Sequence, residues 1–238
     1  MKKSKTSIWA IIPAAGIGTR MGSIKPKQYL NLAGKFIIDI TLQKILSLPN
    51  IEKVIVAIAK EDKFWQKSNF FNDTRIETAL GGPERYLSVL NALERLKKYA
   101  KPNDWVLVHD AVRPCINKSD IENLILKVQE SEIGGLLGTP VKDTIKKVSP
   151  SNEVLTTIER NDLWQALTPQ IFRFSILYEA IFVASKSKLE ITDEASALEA
   201  LGREPIIVEG RSDNIKVTRP EDLKLAEILI GLQDKNKT

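Results

Sequence analysis

Short, strongly apolar runs alternate along the chain with longer segments whose apolar residues recur at helical spacing. The short runs predict buried strands, and the amphipathic segments between them predict helices. Strands that alternate with helices are typical of a parallel sheet covered on both faces. The pattern therefore predicts an α/β fold with a doubly wound, mostly parallel sheet.

The apolar runs and the periodic segments give a predicted position for each element. We predict strands at residues 8–13, 53–59, 75–80, 104–109, 134–140 and 206–208. We predict helices at residues 36–48, 61–69, 83–99, 119–131, 174–186, 193–201 and 220–230. Residues 214–217 read as one more short strand, which a helix cap at Thr218 follows.

Residues 142–158 break this alternation, because they read as two short strands on either side of the turn sequence SPSN. We interpret them as a protruding β-hairpin arm that lies outside the core. The length of 238 residues suits one large domain, since α/β domains often reach this size. We therefore predict a single domain over residues 1–238, with the arm inside it.

The composition argues against several classes of protein. The net charge of +5 comes from 35 basic and 30 acidic residues, and the basic residues form no dense run, so we expect no nucleic-acid partner. No apolar run reaches the roughly 18 residues of a membrane span, so we expect no membrane association. A small anionic substrate suits the modest positive excess better.

The chain contains one cysteine, Cys115, and one histidine, His109. An intramolecular disulfide is therefore impossible. A zinc site built from Cys and His ligands is nearly excluded, because such sites need three or four ligands. The cytoplasm is the compartment that we expect.

Glycine, arginine and aspartate cluster where three of the predicted strands end. The first strand runs into PAAGIGTRMG (residues 13–22), the third into GGPER (81–85) and the fourth into HDAVRP (109–114). Open parallel sheets bind their ligands at the carboxyl ends of the strands. The clustering therefore predicts a site for a phosphorylated ligand at this edge of the sheet.

The first of these segments contains Gly16 and Gly18, and the basic residues Arg20 and Lys27 follow closely. Closely spaced glycines let backbone N–H groups approach phosphate oxygens. The spacing matches neither the dinucleotide-binding fingerprint nor a Walker loop. The alternative is a plain glycine turn with solvated basic residues, but two cations in one strand–loop unit favour phosphate binding.

Asp110 and Arg113 follow the fourth strand. An aspartate at a strand tip can hold Mg²⁺ or position a charged ligand, and an arginine fork can bind a phosphate. The alternative is an Asp–Arg pair that only caps the strand end. A Ser–His–Asp hydrolase is disfavoured, because the chain has no Gly-x-Ser-x-Gly elbow and His109 reads as a packed structural residue.

Taken in order, the motifs resemble a known family. PAAGIGTRMG, GGPER, HDAVRP, ITDEAS (191–196) and DNIKVTRPEDL (213–223) together resemble the 2-C-methyl-D-erythritol 4-phosphate cytidylyltransferases of the non-mevalonate isoprenoid pathway. The resemblance spans about residues 8–230. It implies a Rossmann-like nucleotidyltransferase fold and a reaction of CTP with methylerythritol phosphate that releases pyrophosphate. We also expect Mg²⁺ or another divalent cation as cofactor, since CTP carries a charged triphosphate.

The resemblance further implies a role for individual residues. The catalytic residues would be Arg20, Lys27, Arg160 and Lys216. The CTP-binding residues would be Ala14, Ala15, Gly16, Ile17, Gly18, Gly82, Ser88 and Ala111. The residues that bind methylerythritol phosphate would be Asp110, Arg113, Thr144, Thr168 and Thr192, and Asp110 would also lie near the Mg²⁺ ion.

In this family the arginine that corresponds to Arg160 comes from the arm of the partner subunit. The resemblance therefore implies a homodimer joined through the hairpin arm. Pro83 departs from the family pattern, which often has an aspartate there. A proline keeps the backbone carbonyl but removes both the carboxylate and the N–H group.

Two other functions stay open. A ribitol-5-phosphate cytidylyltransferase would share the fold and the mechanism, although the PAAG loop, Arg160-Asn161 and ITDEAS favour methylerythritol phosphate. An inactive nucleotide-binding protein on the same scaffold is the second alternative. The loss of Arg20 or Lys27 would have indicated it, and both are present.

Overall fold

The computed structural model describes residues 7–16, 25–187 and 189–235. Within these residues the strands are β1 (Ile8–Pro13), β2 (Asn31–Leu32), β3 (Lys35–Phe36), β4 (Ile51–Ile58), β5 (Ile76–Leu80), β6 (Trp105–Val108), β7 (Gly134–Pro140), β8 (Ile145–Val148), β9 (Val154–Ile158), β10 (Trp164–Arg173) and β11 (Ile206–Glu209). The helices are α1 (Ile37–Leu46), α2 (Arg85–Leu96), α3 (Lys118–Val128), α4 (Phe174–Lys186), α5 (Glu194–Glu199) and α6 (Pro220–Lys235). Single turns of 3-10 helix lie at Lys27–Tyr29 and Trp65–Lys67.

Seven of these strands form one sheet, in the order β11-β7-β10-β6-β1-β4-β5. β1 pairs in parallel with β4 on one side and with β6 on the other, so that Ile11 lies opposite both Ile55 and Val108. The chain runs outward from β1 through β4 to β5, and then crosses to β6 on the other side. The carboxyl ends of β1 and β6 therefore lie at the switch point where open α/β sheets bind ligands.

Helices cover both faces of this sheet. Alternate residues of a strand point to opposite faces, and β1 shows the consequence. Ala10 and Ile12 pack in one buried cluster with residues of α1 and α3, whereas Ile11 packs in a second cluster with residues of α2 and α4. Strands that are buried on both faces read as continuous apolar runs. The predicted doubly wound, mostly parallel sheet is confirmed.

The hydrophobic pattern does not predict β10. This strand lies antiparallel between β6 and β7, with Gln170 opposite both Val108 and Leu136. Its ladder with β7 is irregular between Ala166 and Gln170, where Pro169 cannot donate a backbone hydrogen bond. Its polar side chains and this proline interrupt the apolar pattern, so the sequence does not indicate a strand. Because β10 is antiparallel to both neighbours, the sheet is mixed at this position.

Residues 61–69 form only the turn at Trp65–Lys67 rather than the predicted helix. The carboxylate of Asp62 accepts hydrogen bonds from the backbone N–H groups of Phe64 and Trp65, at 2.8 and 2.9 Å. Such side-chain acceptors satisfy backbone groups locally and so compete with an α-helix. The prediction of a helix over residues 61–69 is therefore wrong.

Residues 214–217 form an irregular segment instead of the predicted strand. The side-chain amide of Asn214 donates to the Thr168 carbonyl at 2.7 Å, and the Val217 backbone N–H donates to the Val112 carbonyl at 2.9 Å. These two contacts hold the segment against β10 and against the loop after β6. The prediction failed because the segment contacts β10 through the side chain of Asn214 and contacts a loop through its backbone, rather than pairing its backbone with a neighbouring strand.

The other predicted elements are confirmed, with ends that differ by a few residues. The helix predicted over residues 83–99, for example, spans Arg85–Leu96. The polar segment before α1 also contains the short antiparallel pair of β2 and β3, which the pattern does not predict. None of the helices in the described part of the chain is long and apolar enough to cross a lipid bilayer.

β8 and β9 form a separate two-stranded antiparallel sheet, in which Ile145 lies opposite Ile158. The turn between them falls at the predicted position, residues 149–152. The side chains of Val154 and Leu155 are 64% and 60% exposed. The two strands of the predicted hairpin are confirmed, and its role as a dimerisation arm stays a prediction.

Candidate active site

A cavity of about 600 Å³ opens at the carboxyl ends of β1, β5 and β6. The predicted site residues that line it are Ala14, Ala15, Gly16, Lys27, Gly82, Ser88, Asp110, Ala111 and Lys216. Other lining residues, to which the sequence analysis gave no role, include Gln28, Lys60, Glu84 and Arg85. The three strand ends therefore lie together at one cavity, as predicted, and the binding of a phosphorylated ligand there stays a prediction.

The loop after β1 is tied to its neighbours at its first residue. The Ala14 N–H donates to the Ala57 carbonyl at 2.8 Å, and the side-chain amide of Gln28 donates to the Ala14 carbonyl at 2.5 Å. Gln28 is buried, so water does not compete for this bond. The two bonds fix the point at which the chain leaves the sheet, and they place Ala15 and Gly16 at the cavity wall.

Three residues with predicted roles lie outside the residues that the structure describes: Ile17, Gly18 and Arg20. Lys27, by contrast, begins the turn Lys27–Tyr29 and lines the cavity. The ring of Tyr29 is fully buried, and its hydroxyl donates to the Asp62 carboxylate at 2.7 Å. The turn that carries Lys27 is thus anchored in the core.

The segment between β5 and α2 forms another part of the cavity wall. The Gly81 N–H donates to the Ile58 carbonyl at 2.7 Å, and the Gly82 N–H donates to the Ser88 hydroxyl at 3.0 Å. A Cβ atom at Gly81 would lie 2.1 Å from the Cβ of Ala15. Only glycine therefore lets this segment approach the loop after β1 so closely.

Asp110 follows β6 directly and is surrounded by positive charge. Its carboxylate accepts from the Lys216 ammonium and from the Arg85 Nε, both at 2.9 Å, and the Arg113 Nε lies 3.6 Å away. Burial alone would raise the pKa of Asp110, but the three cations hold that pKa well below the usual range of a carboxyl group. Asp110 is therefore an anion at neutral pH.

Arg85, the first residue of α2, also binds the carboxylate of Glu194, the first residue of α5. Its two terminal nitrogens donate to the two Glu194 oxygens at 2.6 and 3.0 Å. Burial would lower the pKa of Arg85, but the carboxylates of Glu194 and Asp110 raise it above its ordinary value. The sequence does not indicate this pair, because Glu194 reads as an ordinary residue of a first helical turn.

Thr168 and His109 form a chain of hydrogen bonds that begins at the backbone of Asp110. A carbonyl can only accept, so the Arg113 carbonyl, 3.1 Å from His109 Nε2, identifies that nitrogen as the donor. His109 Nδ1 then accepts from the Thr168 hydroxyl at 2.9 Å, and the Thr168 oxygen accepts from the Asp110 N–H at 3.1 Å. Burial lowers the pKa of His109 to about 4, so the ring is neutral at neutral pH. His109 is a packed structural residue, as predicted.

Five residues predicted to act on the substrate are not among those that line the cavity: Arg113, Thr144, Arg160, Thr168 and Thr192. A terminal nitrogen of Arg113 donates to the Asn214 carbonyl at 2.7 Å. Thr144 and Arg160 lie at exposed positions on either side of the hairpin, and Thr192 is exposed before α5. The cavity of one chain therefore brings together the predicted CTP site more fully than the predicted acceptor site.

Asp110 is the predicted metal ligand. Across residues 7–16, 25–187 and 189–235, no group of three or more His, Cys, Asp and Glu side chains could hold a metal ion. Both oxygens of Asp110 already accept from protein cations. These residues do not fit a resident metal site. They suit a cation that arrives with a phosphorylated ligand and takes at most one carboxylate from the protein, as Mg²⁺ often does.

Comparisons with known proteins agree with the resemblance that the motifs indicated. The model of the family IspD, 2-C-methyl-D-erythritol 4-phosphate cytidylyltransferase, matches residues 8–231. The 2-C-methyl-D-erythritol 4-phosphate cytidylyltransferase of Hahella chejuensis is 48% identical over 223 residues, which cover 94% of this chain and 92% of that protein. The corresponding protein of Tolumonas auensis is 48% identical over 225 residues, which cover 94% of this chain and 97% of the relative.

Solved structures show the same likeness in three dimensions. The crystal structure of the 2-C-methyl-D-erythritol 4-phosphate cytidylyltransferase of Francisella tularensis has a TM-score of 0.83 and 39% sequence identity to this chain. The match covers 94% of this chain and 100% of the Francisella chain. The family match, the relatives and the shared fold all extend over nearly the whole sequence, and the chain therefore belongs to the 2-C-methyl-D-erythritol 4-phosphate cytidylyltransferase family.

Proposed function

We propose that the chain transfers the cytidylyl group of CTP to 2-C-methyl-D-erythritol 4-phosphate in isoprenoid precursor biosynthesis. The products are 4-diphosphocytidyl-2-C-methyl-D-erythritol and pyrophosphate. The observation that carries the proposal is the cavity in which Lys27 and Lys216 lie beside two glycine-rich strand ends. Backbone N–H groups and cations in one cavity are what a nucleoside triphosphate requires.

The reaction is a direct displacement at phosphorus. A phosphate oxygen of methylerythritol phosphate forms a bond to the α-phosphorus of CTP. The bond from the α-phosphorus to the bridging oxygen breaks, and pyrophosphate leaves with that oxygen. The reaction needs no covalent enzyme intermediate, so catalysis depends on positioning and on neutralisation of the developing charge.

We place the nucleotide against the two glycine-rich segments. The backbone of residues 14–16 would cradle the triphosphate, and Ala111 would lie beside the ribose. Gly82 and Ser88 would face the cytosine, in the orientation that their mutual hydrogen bond of 3.0 Å fixes. Pro83 lines the same wall and can offer its carbonyl but no N–H group to the base.

Lys27 and Lys216 would neutralise charge at the phosphates, and Arg20 would join them on the grounds of the resemblance. Lys216 already contacts Asp110, so the incoming phosphates would share its ammonium with that carboxylate. Asp110 would face the acceptor, whose hydroxyl groups are hydrogen-bond donors. Arg113, Thr168 and Thr192 would lie farther along the acceptor site.

CTP would enter as its complex with Mg²⁺ or a similar divalent cation. A hard cation prefers phosphate oxygens, water and few carboxylates. Asp110 is the carboxylate placed to share such an ion, because it follows β6 at the cavity wall. The metal is therefore treated as part of the nucleotide substrate rather than as a resident cofactor.

We further propose a homodimer joined through the hairpin arm. β8 and β9 pair only with each other among the described strands, and an isolated two-stranded hairpin is marginal in water. A second copy would cover the exposed side chains of Val154 and Leu155. Thr144 and Arg160 would then complete the acceptor site of the partner subunit.

The compartment that we propose is the cytoplasm. The only cysteine of the sequence, Cys115, is a free thiol and is fully buried. A chain without an intramolecular disulfide suits a reducing compartment. Fractionation of cells that express the chain would test this assignment.

The assay that tests the function measures pyrophosphate release with CTP and each of two acceptors. We expect kcat/KM to be at least about tenfold higher with methylerythritol phosphate than with ribitol 5-phosphate. A preference for ribitol 5-phosphate would reassign the acceptor. No release with either acceptor, together with measurable CTP binding, would identify an inactive nucleotide-binding protein.

A further inference from the structure

Glu194 is a buried charge that the proposed reaction does not use. Its side chain is completely buried and is not part of the cavity wall, whereas its partner Arg85 lines the cavity. A buried ion pair loses the solvation of both ions, and an apolar pair of similar volume is often as stable. A role in the cavity is therefore a better explanation of this pair than stability alone.

Glu194 is held in place by bonds that tie the start of α5 to β10. The Asp193 carboxylate accepts from the Ser196 N–H at 2.9 Å, which caps the helix. The Gln170 side chain of β10 donates to Asp193 at 2.8 Å and accepts from the Ala195 N–H at 2.9 Å. The Glu194 carboxylate is thus fixed relative to the sheet.

Arg85 connects this fixed carboxylate to Asp110. Its two terminal nitrogens bind Glu194 at 2.6 and 3.0 Å, and its Nε donates to Asp110 Oδ1 at 2.9 Å. A guanidinium group is planar, so a bidentate contact fixes its plane and the direction of its third N–H bond. Arg85 therefore sets the position of one Asp110 oxygen, and the other oxygen, Oδ2, is left for Lys216 at 2.9 Å.

We propose that Arg85, held by Glu194, is a positioning residue that fixes the Asp110 carboxylate, and through it the Lys216 ammonium, in the geometry that receives methylerythritol phosphate. This inference rests on the proposed function. Without Arg85, the Asp110 carboxylate could turn and offer both oxygens to Lys216 and to Arg113, whose Nε lies 3.6 Å away. Without Glu194, Arg85 would bring an unbalanced positive charge to the cavity.

The test replaces both members of the pair at once, with Arg85→Met and Glu194→Leu. The double replacement removes both ions of the pair together, and Asp110 keeps its contact with Lys216. We therefore expect the Tm of the double variant within about 5 °C of wild type. We expect kcat with CTP and methylerythritol phosphate to fall at least about tenfold, while the Kd for CTP changes less than about threefold. Thermal unfolding measures the Tm, the pyrophosphate assay measures kcat, and titration calorimetry measures the Kd for CTP.

Two results would overturn the proposal. A kcat equal to wild type in the folded double variant would assign the pair to stability alone. A loss of CTP affinity as large as the loss of kcat would indicate a distorted cavity instead of a misplaced carboxylate.

Arg85→Lys is a second variant that does not depend on the double replacement. A lysine keeps the charge opposite Glu194, but its single ammonium cannot fork between two carboxylates in a fixed plane. We expect it to fold and to lose about tenfold in kcat, and a folded variant with wild-type kcat would contradict the proposal. Failure of both variants to fold would likewise assign the pair to stability and overturn it.

The control replaces another ion pair, Lys53→Met with Glu77→Leu, whose nitrogen and oxygen lie 2.7 Å apart away from the cavity. We expect its kcat to equal that of wild type. The wild-type chain is measured in the same assay. Absence of activity in the wild type would contradict the proposed function, whereas wild-type activity in the folded double variant would contradict only this inference.

Discussion

The side-chain amide of Gln28 donates a hydrogen bond of 2.5 Å to the carbonyl of Ala14, and it thereby joins the turn that begins at Lys27 to the loop after β1. The bond is buried, so the spacing between this turn and the loop is set before any ligand binds. A cation that is placed in advance costs no reorganisation at the moment of reaction. Among the basic residues of this loop that the structure describes, Lys27 is therefore the one whose loss should lower the rate of the reaction most directly.

We expect Lys27→Ala to lower kcat more than about tenfold with folding intact, because its charge would act on the phosphates in the transition state. The matched control is Lys25→Ala. Lys25 lies in the same segment, but its ammonium lies 4.3 Å from the centroid of the Phe36 ring and is not part of the cavity wall. Steady-state kinetics and thermal unfolding compare the two variants, and unchanged turnover in Lys27→Ala would contradict the assignment of this cation.

We expect the reaction to require a divalent cation. The triphosphate carries several negative charges, and the residues that the structure describes include no group of three or more His, Cys, Asp and Glu side chains that could hold an ion of the protein's own. Pyrophosphate release should therefore stop in excess EDTA and return when Mg²⁺ is added beyond the chelator. Full activity in excess EDTA would rule out this dependence.

We expect mixed dimers to regain activity if Arg160 serves the partner subunit. Arg160→Ala and Lys27→Ala chains would each be nearly inactive alone. A mixed dimer would place both defects in one site and leave the other intact. After random subunit exchange, activity should recover towards roughly a quarter of wild type, since about half the chains then lie in mixed dimers with one good site each.

Mass spectrometry of the mixture shows whether subunits have exchanged. Exchange without recovery would mean that Arg160 acts in its own subunit or in neither. The matched control mixes Lys27→Ala with Lys216→Ala chains. Both residues line the same cavity of one chain, so a mixed dimer of this kind has a defect in each site and should stay inactive.

We expect Glu77 to make folding stability depend on pH in acid. Hydrogen bonds from Lys53 and Tyr99 lower the pKa of Glu77 from 4.5 to about 2. A carboxyl group with a lowered pKa stabilises the fold above its unfolded pKa, and this contribution is lost as the pH falls through the folded pKa. The Tm difference between wild type and Glu77→Gln should therefore be largest near neutral pH and shrink between about pH 4.5 and about pH 2.

Thermal unfolding at a series of pH values measures this difference. Glu227→Gln is the control, because Glu227 is exposed on α6 and its loss should leave the pH dependence of wild type in place. A Tm difference for Glu77→Gln that stays constant from neutral pH into acid would show that the carboxyl group does not titrate as its contacts require.

Much of the sheet can be predicted because its central strands are buried on both faces. β1, β4 and β6 read as continuous apolar runs, and the rule that ligands bind at the carboxyl ends of such strands leads directly to Gly16, Gly82 and Asp110. β10 is not predicted, because Thr168, Pro169 and Gln170 interrupt its apolar pattern. Its place in the sheet depends on two strands that are distant in sequence rather than on its own pattern.

The charge network of the site is harder to predict for a related reason. Arg85 and Glu194 are 109 positions apart. Arg85 belongs to a segment that the sequence already places at the ligand-binding edge, but Glu194 reads as an ordinary residue at the start of a helix. No local pattern around Glu194 indicates that its carboxylate meets the guanidinium group of Arg85. The chain has to fold before a buried carboxylate and a guanidinium group become partners. Local patterns therefore indicate the cavity but not the contacts that support it.

β10 also sets an order of events while the protein is being synthesised. β6 ends at Val108, but its outer neighbour begins only at Trp164. Because the chain leaves the ribosome amino end first, β6 keeps one edge unpaired until that neighbour emerges. β7 is made earlier, yet it joins the sheet through β10 and so has to wait as well. A nascent chain that stalls after β6 and before β10 carries an unpaired strand edge beside its own cavity. Strands of other chains can add to such an edge.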